Sequence, residues 1–160
     1  MKKNEKTSEH PNRKVVATNR KARHNYHILD VHQVGLVLVG TEVKSLRAGH
    51  ASLVDAYADI LNGEMYLINC HINAYTHGTA WNHNPLRPRK LLLHRREIDK
   101  LAGKVQQRGF TLIPLSIYFE KGLAKIDLAL ARGKKQYDKR EDLKRRDQDR
   151  EIERALSKRY

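Results

Sequence analysis

Apolar and polar residues alternate with period two through most of the middle of this chain, the pattern of strands that bury one face. The clearest run places Ile113, Leu115, Ile117 and Phe119 on one face, turns at Lys121-Gly122 and returns with Ile126, Leu128 and Leu130 aligned. It predicts a hairpin with Lys125 and Asp127 turned outward. Asn62-Gly63 is the preferred dipeptide of a tight primed turn and predicts a second hairpin, between residues 56–61 and 65–70. Tyr26 to Val39 supplies one or two more strands, with Gly35 as a candidate bulge.

Helical spacing is rarer. Ile98, Leu101 and Val105 predict a helix over Glu97 to Gln107 that stops at Gly109, and Thr41 to Arg47 gives one or two turns closing at Gly49. Residues 76–89 carry prolines, Gly78 and a cluster of Asn and His around Trp81, which is loop composition. Many short antiparallel strands with one or two capping helices fit a small barrel or a sandwich, and closure into a barrel removes exposed sheet edges. Among small barrels, the oligonucleotide-binding (OB) type suits both the strand count and the charge.

Charge narrows the partners. The 160 residues carry 32 Lys and Arg against 18 Asp and Glu, a formal net charge of +14. That balance attracts a polyanion: RNA, DNA or an anionic membrane. Membrane is the weakest of the three, because no apolar run approaches spanning length and no basic amphipathic helix shows a bulky apolar face. The charge is concentrated at the ends, +6 over residues 1–25 and +4 over residues 133–160. The opening segment lacks the apolar stretch of a secretory signal and reads as a basic leader. From Gly133 onward too few apolar residues remain to offset the entropy of ordering, so the tail needs a partner to give it shape. The lone Cys70, inside an apolar run, predicts a buried spectator thiol in a reducing cytoplasm.

Catalytic patterns are weak. His71, His77, His83 and His94 fall close together in sequence but show neither a Cys pair nor a tight His pair, so no metal and no cofactor is expected. No serine sits in a nucleophile elbow, and the carboxylates are scattered rather than clustered around a metal. The stretch Asn19 to Tyr26 instead interleaves cations with His and Tyr, which suits phosphate contact and base stacking. Arg87-Pro88-Arg89-Lys90 and Gly133-Lys134-Lys135 add two further basic clusters. If the tail became helical, Lys135, Lys139, Arg146, Arg150 and Arg154 would share an arc about 100° wide, a stripe for a phosphate backbone.

Four motifs in order, Asn19-Arg20-Lys21-Ala22-Arg23-His24, Gly40 to Gly49 (GTEVKSLRAG), Arg87 to His94 (RPRKLLLH) and Ala131 to Arg140 (ARGKKQYDKR), strongly resemble the SmpB family of bacterial transfer-messenger RNA (tmRNA) binding proteins. The resemblance implies a mainly β protein: an OB-type antiparallel barrel of about six strands with two or three short helices and a flexible basic C-terminal tail. It divides the chain into a basic leader (1–18), an RNA-binding barrel (19–132) and a tail (133–160) that is disordered when free and helical on the ribosome. The family is non-enzymatic. Its implied role is to bind the tRNA-like domain of tmRNA, as a monomer in a 1:1 complex, and to deliver it to stalled ribosomes for trans-translation, with the tail in the small-subunit decoding site and messenger channel.

By the same resemblance the RNA-contacting set is Asn19, Lys21, Arg23, His24, Leu92, Lys125, Lys134 and Lys135, joined by Gln33, Lys44, Arg47, Lys90 and Arg132. The ribosomal set is Gly133, Lys134, Lys135, Tyr137, Asp138, Lys139 and Arg140, continued by Arg146, Arg150 and Arg154. Gln33 stands where an acidic residue is common and Tyr137 where some members carry His. A purely charge-based role is therefore doubtful at the first, and an acid–base role is lost at the second, though Tyr137 still stacks.

Overall fold

A computed structural model of the chain describes residues 12–78 and 81–158. Nine strands and four helices follow in the order β1 (Arg13–Thr18), α1 (Ala22–Asn25), β2 (Tyr26–Leu36), α2 (Gly40–Arg47), β3 (Ala51–Ser52), β4 (Tyr57–Leu61), β5 (Glu64–Ile68), β6 (His71–Ile72), β7 (Arg89–Leu92), α3 (Arg95–Val105), β8 (Phe110–Glu120), β9 (Leu123–Gly133) and α4 (Gln136–Ser157). Six strands close a ring in the order β8-β4-β5-β7-β2-β9, with β9 pairing back onto β8. This is an OB-type β-barrel. Strand β1 extends the β8 edge beyond β4, so residues 13–18, expected in a leader, are paired sheet; the leader's first eleven residues lie outside the described ones.

Both expected hairpins form. Asn62 and Gly63 take φ of 51° and 76°, and Lys121 and Gly122 take 51° and 77°, the doubly left-handed geometry of a primed turn. The barrel interior is filled by Leu36, Leu46, Met65, Leu67, Leu91, Leu101, Leu112, Ile117, Ile126, Leu128 and neighbours, with Leu46 of α2 and Leu101 of α3 packed into that core.

Two details of register differ from the alternation pattern. In β8 the pairing with β9 shifts between Pro114 and Ser116, leaving Leu115 as an extra residue beside a proline that has no N–H for the ladder. One extra residue exchanges the faces. Ile113 and Leu115 therefore do not share the barrel face with Ile117 and Phe119; Leu112 takes that place, while Ile113 joins Ala22, Ala129 and Ala131 in a small outer cluster, with Leu115 packed against it. In β2 the bulge lies at Leu29, between Ile28 and Asp30, and not at Gly35. Gly35 is instead a close-approach site: a Cβ there would meet Leu92 Cβ and Cδ1 at 3.2 Å.

Candidate nucleic-acid interface

Strand β2 organises the candidate residues because it runs between β7 and β9 with its Val34 and Leu36 side chains in the core. Residues directly paired across a sheet share a face. Gly35 pairs with Leu92 on one side and Lys125 on the other, and Gln33 pairs with Asp127. Leu92, Lys125 and the exposed Gln33 therefore stand on one outer surface. Leu92 is 55% exposed, a large apolar side chain given to solvent.

The opposite end of β2, about 30 Å away by strand rise, gathers the lead-in and the base of the tail. Tyr26 pairs with Gly133 and His27 with Arg132. Lys134 N–H donates to the Asn25 carbonyl at 2.9 Å, and Lys134 Nζ donates to the Arg23 carbonyl at 2.9 Å and to the carboxylate of Asp142. Sequence positions 111 residues apart thus form one basic cluster, with Lys21, Arg23, Arg132 and Lys135 exposed around it and His24 half-buried.

Asn19 locks this end in place. Its Nδ2 donates to the Pro114 carbonyl at 3.1 Å and its N–H to the Leu115 carbonyl at 2.7 Å. The β8 bulge thereby anchors the lead-in, and one of the two Asn19 amide hydrogens is committed within the protein. Alternation alone concealed this, since the bulge breaks it. Between the lead-in and residues 51–57 lies a groove of about 750 Å³, lined by Arg20, Lys21, Tyr26, Asp55, Tyr57 and others.

Other candidates differ in how far they are engaged within the protein. Lys90 Nζ lies 2.9 Å from Glu64, which raises the Lys90 pKa by hydrogen bonding and charge. Lys44 holds its ammonium 5.4 Å from the Tyr75 ring, and the Arg47 guanidinium lies 5.6 Å from that of Phe119; both side chains belong to exposed residues of α2.

The cluster at residues 87–90 is corrected most. Arg89 is fully buried, with its Nε bonded to Glu42, Nη1 donating to the Cys70 carbonyl at 2.5 Å and Nη2 to the Pro85 carbonyl at 3.1 Å. Arg87 binds the other Glu42 oxygen, at 2.9 Å from Nε. Burial pushes the Glu42 carboxyl up, but the hydrogen bonds and charges of Arg89 and Arg87 outweigh it and leave the pKa below 4.5. These two arginines hold the barrel end together; Glu42, inside the α2 motif, was the available sign of a partner.

The histidines do not converge. His83 is buried, its Nε2 donating to the Ile72 carbonyl at 2.9 Å and its Nδ1 2.8 Å from Thr41 Oγ1. Among the described residues no group of three or more His, Cys, Asp or Glu side chains is placed to hold a metal ion. Cys70 is buried, and loss of water pushes its pKa to about 11.

Helix α4 continues from Lys135 for 22 residues, none of them buried. Lys135, Arg146, Arg150 and Arg154 are exposed and Lys139 is half-buried, so the basic stripe is formed and faces water; Arg140, off that arc, is exposed too. Asp138 lies 3.5 Å from His27, and Tyr137 is 68% exposed with its hydroxyl pKa raised by a hydrogen bond to Glu141.

A family profile described as "SmpB protein" matches residues 16–158. The chain belongs to the SmpB family. It is 62% identical over 146 residues to the SsrA-binding protein of Thermobifida fusca, covering 91% of each chain. It is 60% identical over 154 residues to the SsrA-binding protein of Mycolicibacterium smegmatis, covering 96% of each. A chain of the solved structure described as "tmRNA-SmpB: a journey to the center of the bacterial ribosome" superposes with a TM-score of 0.63 at 52% identity, over 74% of this chain and 84% of that one. The family match spans the lead-in, the barrel ring and all of α4. No helix among the described residues is long and apolar enough to cross a membrane.

Proposed function

We propose that this protein binds the tRNA-like domain of tmRNA and delivers it to stalled ribosomes for trans-translation. The observation that carries the reading is the joining of lead-in and tail base at one end of β2, with Leu92, Gln33 and Lys125 on the outer surface toward the other. One face then offers cations to phosphates and an exposed apolar side chain to a base, on a rigid barrel. RNA shape rather than linear sequence is what such a surface reads. Membership of a family whose relatives are named for SsrA binding, and likeness to a chain from a tmRNA-SmpB structure, give that RNA its identity.

Within this reading Lys21, Arg23, His24, Arg132, Lys134 and Lys135 contact phosphates at one end, Leu92, Gln33 and Lys125 contact RNA toward the other, and Asn19 positions the lead-in. The protein performs no chemistry on the RNA. It works in the cytoplasm, where ribosomes are, as a monomer bound 1:1. The α4 stripe, already helical in the free chain rather than awaiting a partner, serves the ribosome in the messenger channel.

Competition at matched salt between the tRNA-like domain and an unstructured RNA of equal length tests the reading. Preference for the tRNA-like domain by at least about tenfold is the expected outcome. Equal binding, or cleavage of either RNA, contradicts it.

A further inference from the structure

Trp81 is 91% exposed, the most exposed of the large apolar side chains described. It is also the chain's single tryptophan. Its surroundings are built rather than loose. Asn82 clamps the loop, its Oδ1 accepting from the Tyr75 N–H at 3.2 Å and its Nδ2 donating to the Tyr75 carbonyl at 2.8 Å. His83 ties the next position to Ile72 and Thr41, and Arg89 ties Pro85 to the barrel. Fixed anchors on the following residues therefore present a large ring to solvent.

The neighbouring chemistry points to a polyanion with rings. Tyr75 and His77 stack edge to face at 5.6 Å between centroids, and Lys44 of α2 holds its ammonium over the Tyr75 ring. From Met65 to Arg96 the sequence contains no Asp or Glu, but most of its cations are taken up by carboxylates from elsewhere, Arg87 and Arg89 by Glu42, Lys90 by Glu64 and Arg95 by Asp99, which leaves Lys44 as the cation beside these rings. An exposed ring with further rings and a solvent-facing ammonium nearby, here Trp81 with Tyr75, His77 and Lys44, is what a single-stranded nucleic acid uses, a ring taking a base and the cation a phosphate. Trp81 is followed by the polar Asn82, His83 and Asn84 rather than by the apolar neighbours of a packed protein–protein hot spot.

We propose that Trp81 is a stacking platform for an unpaired RNA base, with Lys44 holding the adjoining phosphate, on the α2 side of the barrel. The inference rests on the proposed function and adds to it a binding residue outside the motifs that carry the family resemblance. The base belongs either to the tRNA-like domain or to ribosomal RNA, and the test separates the two.

Trp81 is the chain's only tryptophan, so biosynthetic replacement by hydroxytryptophan, which is excited to the red of ordinary indole, makes emission report this ring alone even beside the tryptophans of ribosomal proteins. Emission is followed during titration with the tRNA-like domain, and again as the tmRNA complex loads on stalled ribosomes, while complex formation is measured independently by filter binding. Quenching in the first arm assigns the base to the tRNA-like domain, and quenching only in the second assigns it to the ribosome. In the arm that quenches, Trp81→Ala and Trp81→Leu are expected to weaken binding at least about fivefold, with Trp81→Phe close to the parent. A complex that forms without quenching in either arm overturns the inference and leaves the proposed function standing. So does full binding by the Leu variant, or cross-linking of a photoreactive phenylalanine at position 81 to ribosomal protein instead of RNA. Failure of any complex to form removes both.

Discussion

Lys134 and Asp142 form an ion pair that fastens the first turns of α4 to the end of the barrel. The ammonium also donates to the Arg23 carbonyl, and its side chain keeps only 8% of its exposure. A cation assigned to RNA is thus held internally, and RNA phosphate and the Asp142 carboxylate compete for it.

Asp142→Asn therefore frees Lys134. Affinity for the tRNA-like domain is expected to rise about two- to fivefold at low salt, with the gain fading as salt screens it. The Lys134 hydrogen bond is the main reason the Asp142 pKa lies below 3.8. A depressed folded pKa means that the link is complete above pH 3.8 and is lost as pH falls through the lowered value. Hydrogen exchange of the first α4 amides should speed up over that acid window in the parent, and should already be fast at neutral pH in the Asn variant.

Glu42→Gln tests the buried network. Removing one partner leaves Arg89 as an uncompensated buried charge, a loss of about 3 kcal/mol or more, which lowers Tm by roughly 6–12 °C. The carboxylate's pKa is held below 4.5, so its contribution is present above that value and disappears as pH drops through the folded one. Calorimetry against pH should show a flatter acid limb in the variant. RNA affinity at temperatures where both proteins are folded should stay within about twofold.

The local grammar of this fold was readable from particular residues. Asn62-Gly63 and Lys121-Gly122 announced their turns because adjacent left-handed residues have few alternatives. The Leu115 bulge was not readable, because every residue from Leu112 to Leu115 is apolar or proline and the pattern fits either face. Nor was the fate of residues 87–90, since a buried arginine and a solvated one look alike until Glu42 is placed beside them. The candidate site was legible as motifs, but its geometry depended on strand β2 bringing residues 23 and 134 together.

Leu92→Ala separates binding from stability. The side chain is 55% exposed, so the change in folding free energy should stay within about 0.5 kcal/mol, while affinity for the tRNA-like domain falls at least several-fold. Gly35→Ala approaches the same outcome from below, because its Cβ would press on Leu92 at 3.2 Å and shift it. Urea melts paired with filter binding check both, and a stability loss that accounts for the whole binding defect would argue against an RNA contact at Leu92.

Cys70 should be inert in the native protein. Burial, the main cause, pushes the thiol to about 11, so at pH 8 almost no thiolate is present. Labelling by a soluble disulfide reagent is expected to proceed no faster than unfolding and to become immediate in denaturant.

The central claim is that the barrel recognises RNA while α4 serves the ribosome. No residue of α4 is buried, so a chain ending at Tyr137 keeps its entire core. Its affinity for the tRNA-like domain should match that of the full chain, or exceed it slightly because Lys134 has lost Asp142, while peptide tagging on stalled ribosomes should vanish. A large loss of RNA affinity, or tagging that persists, would contradict that division of labour.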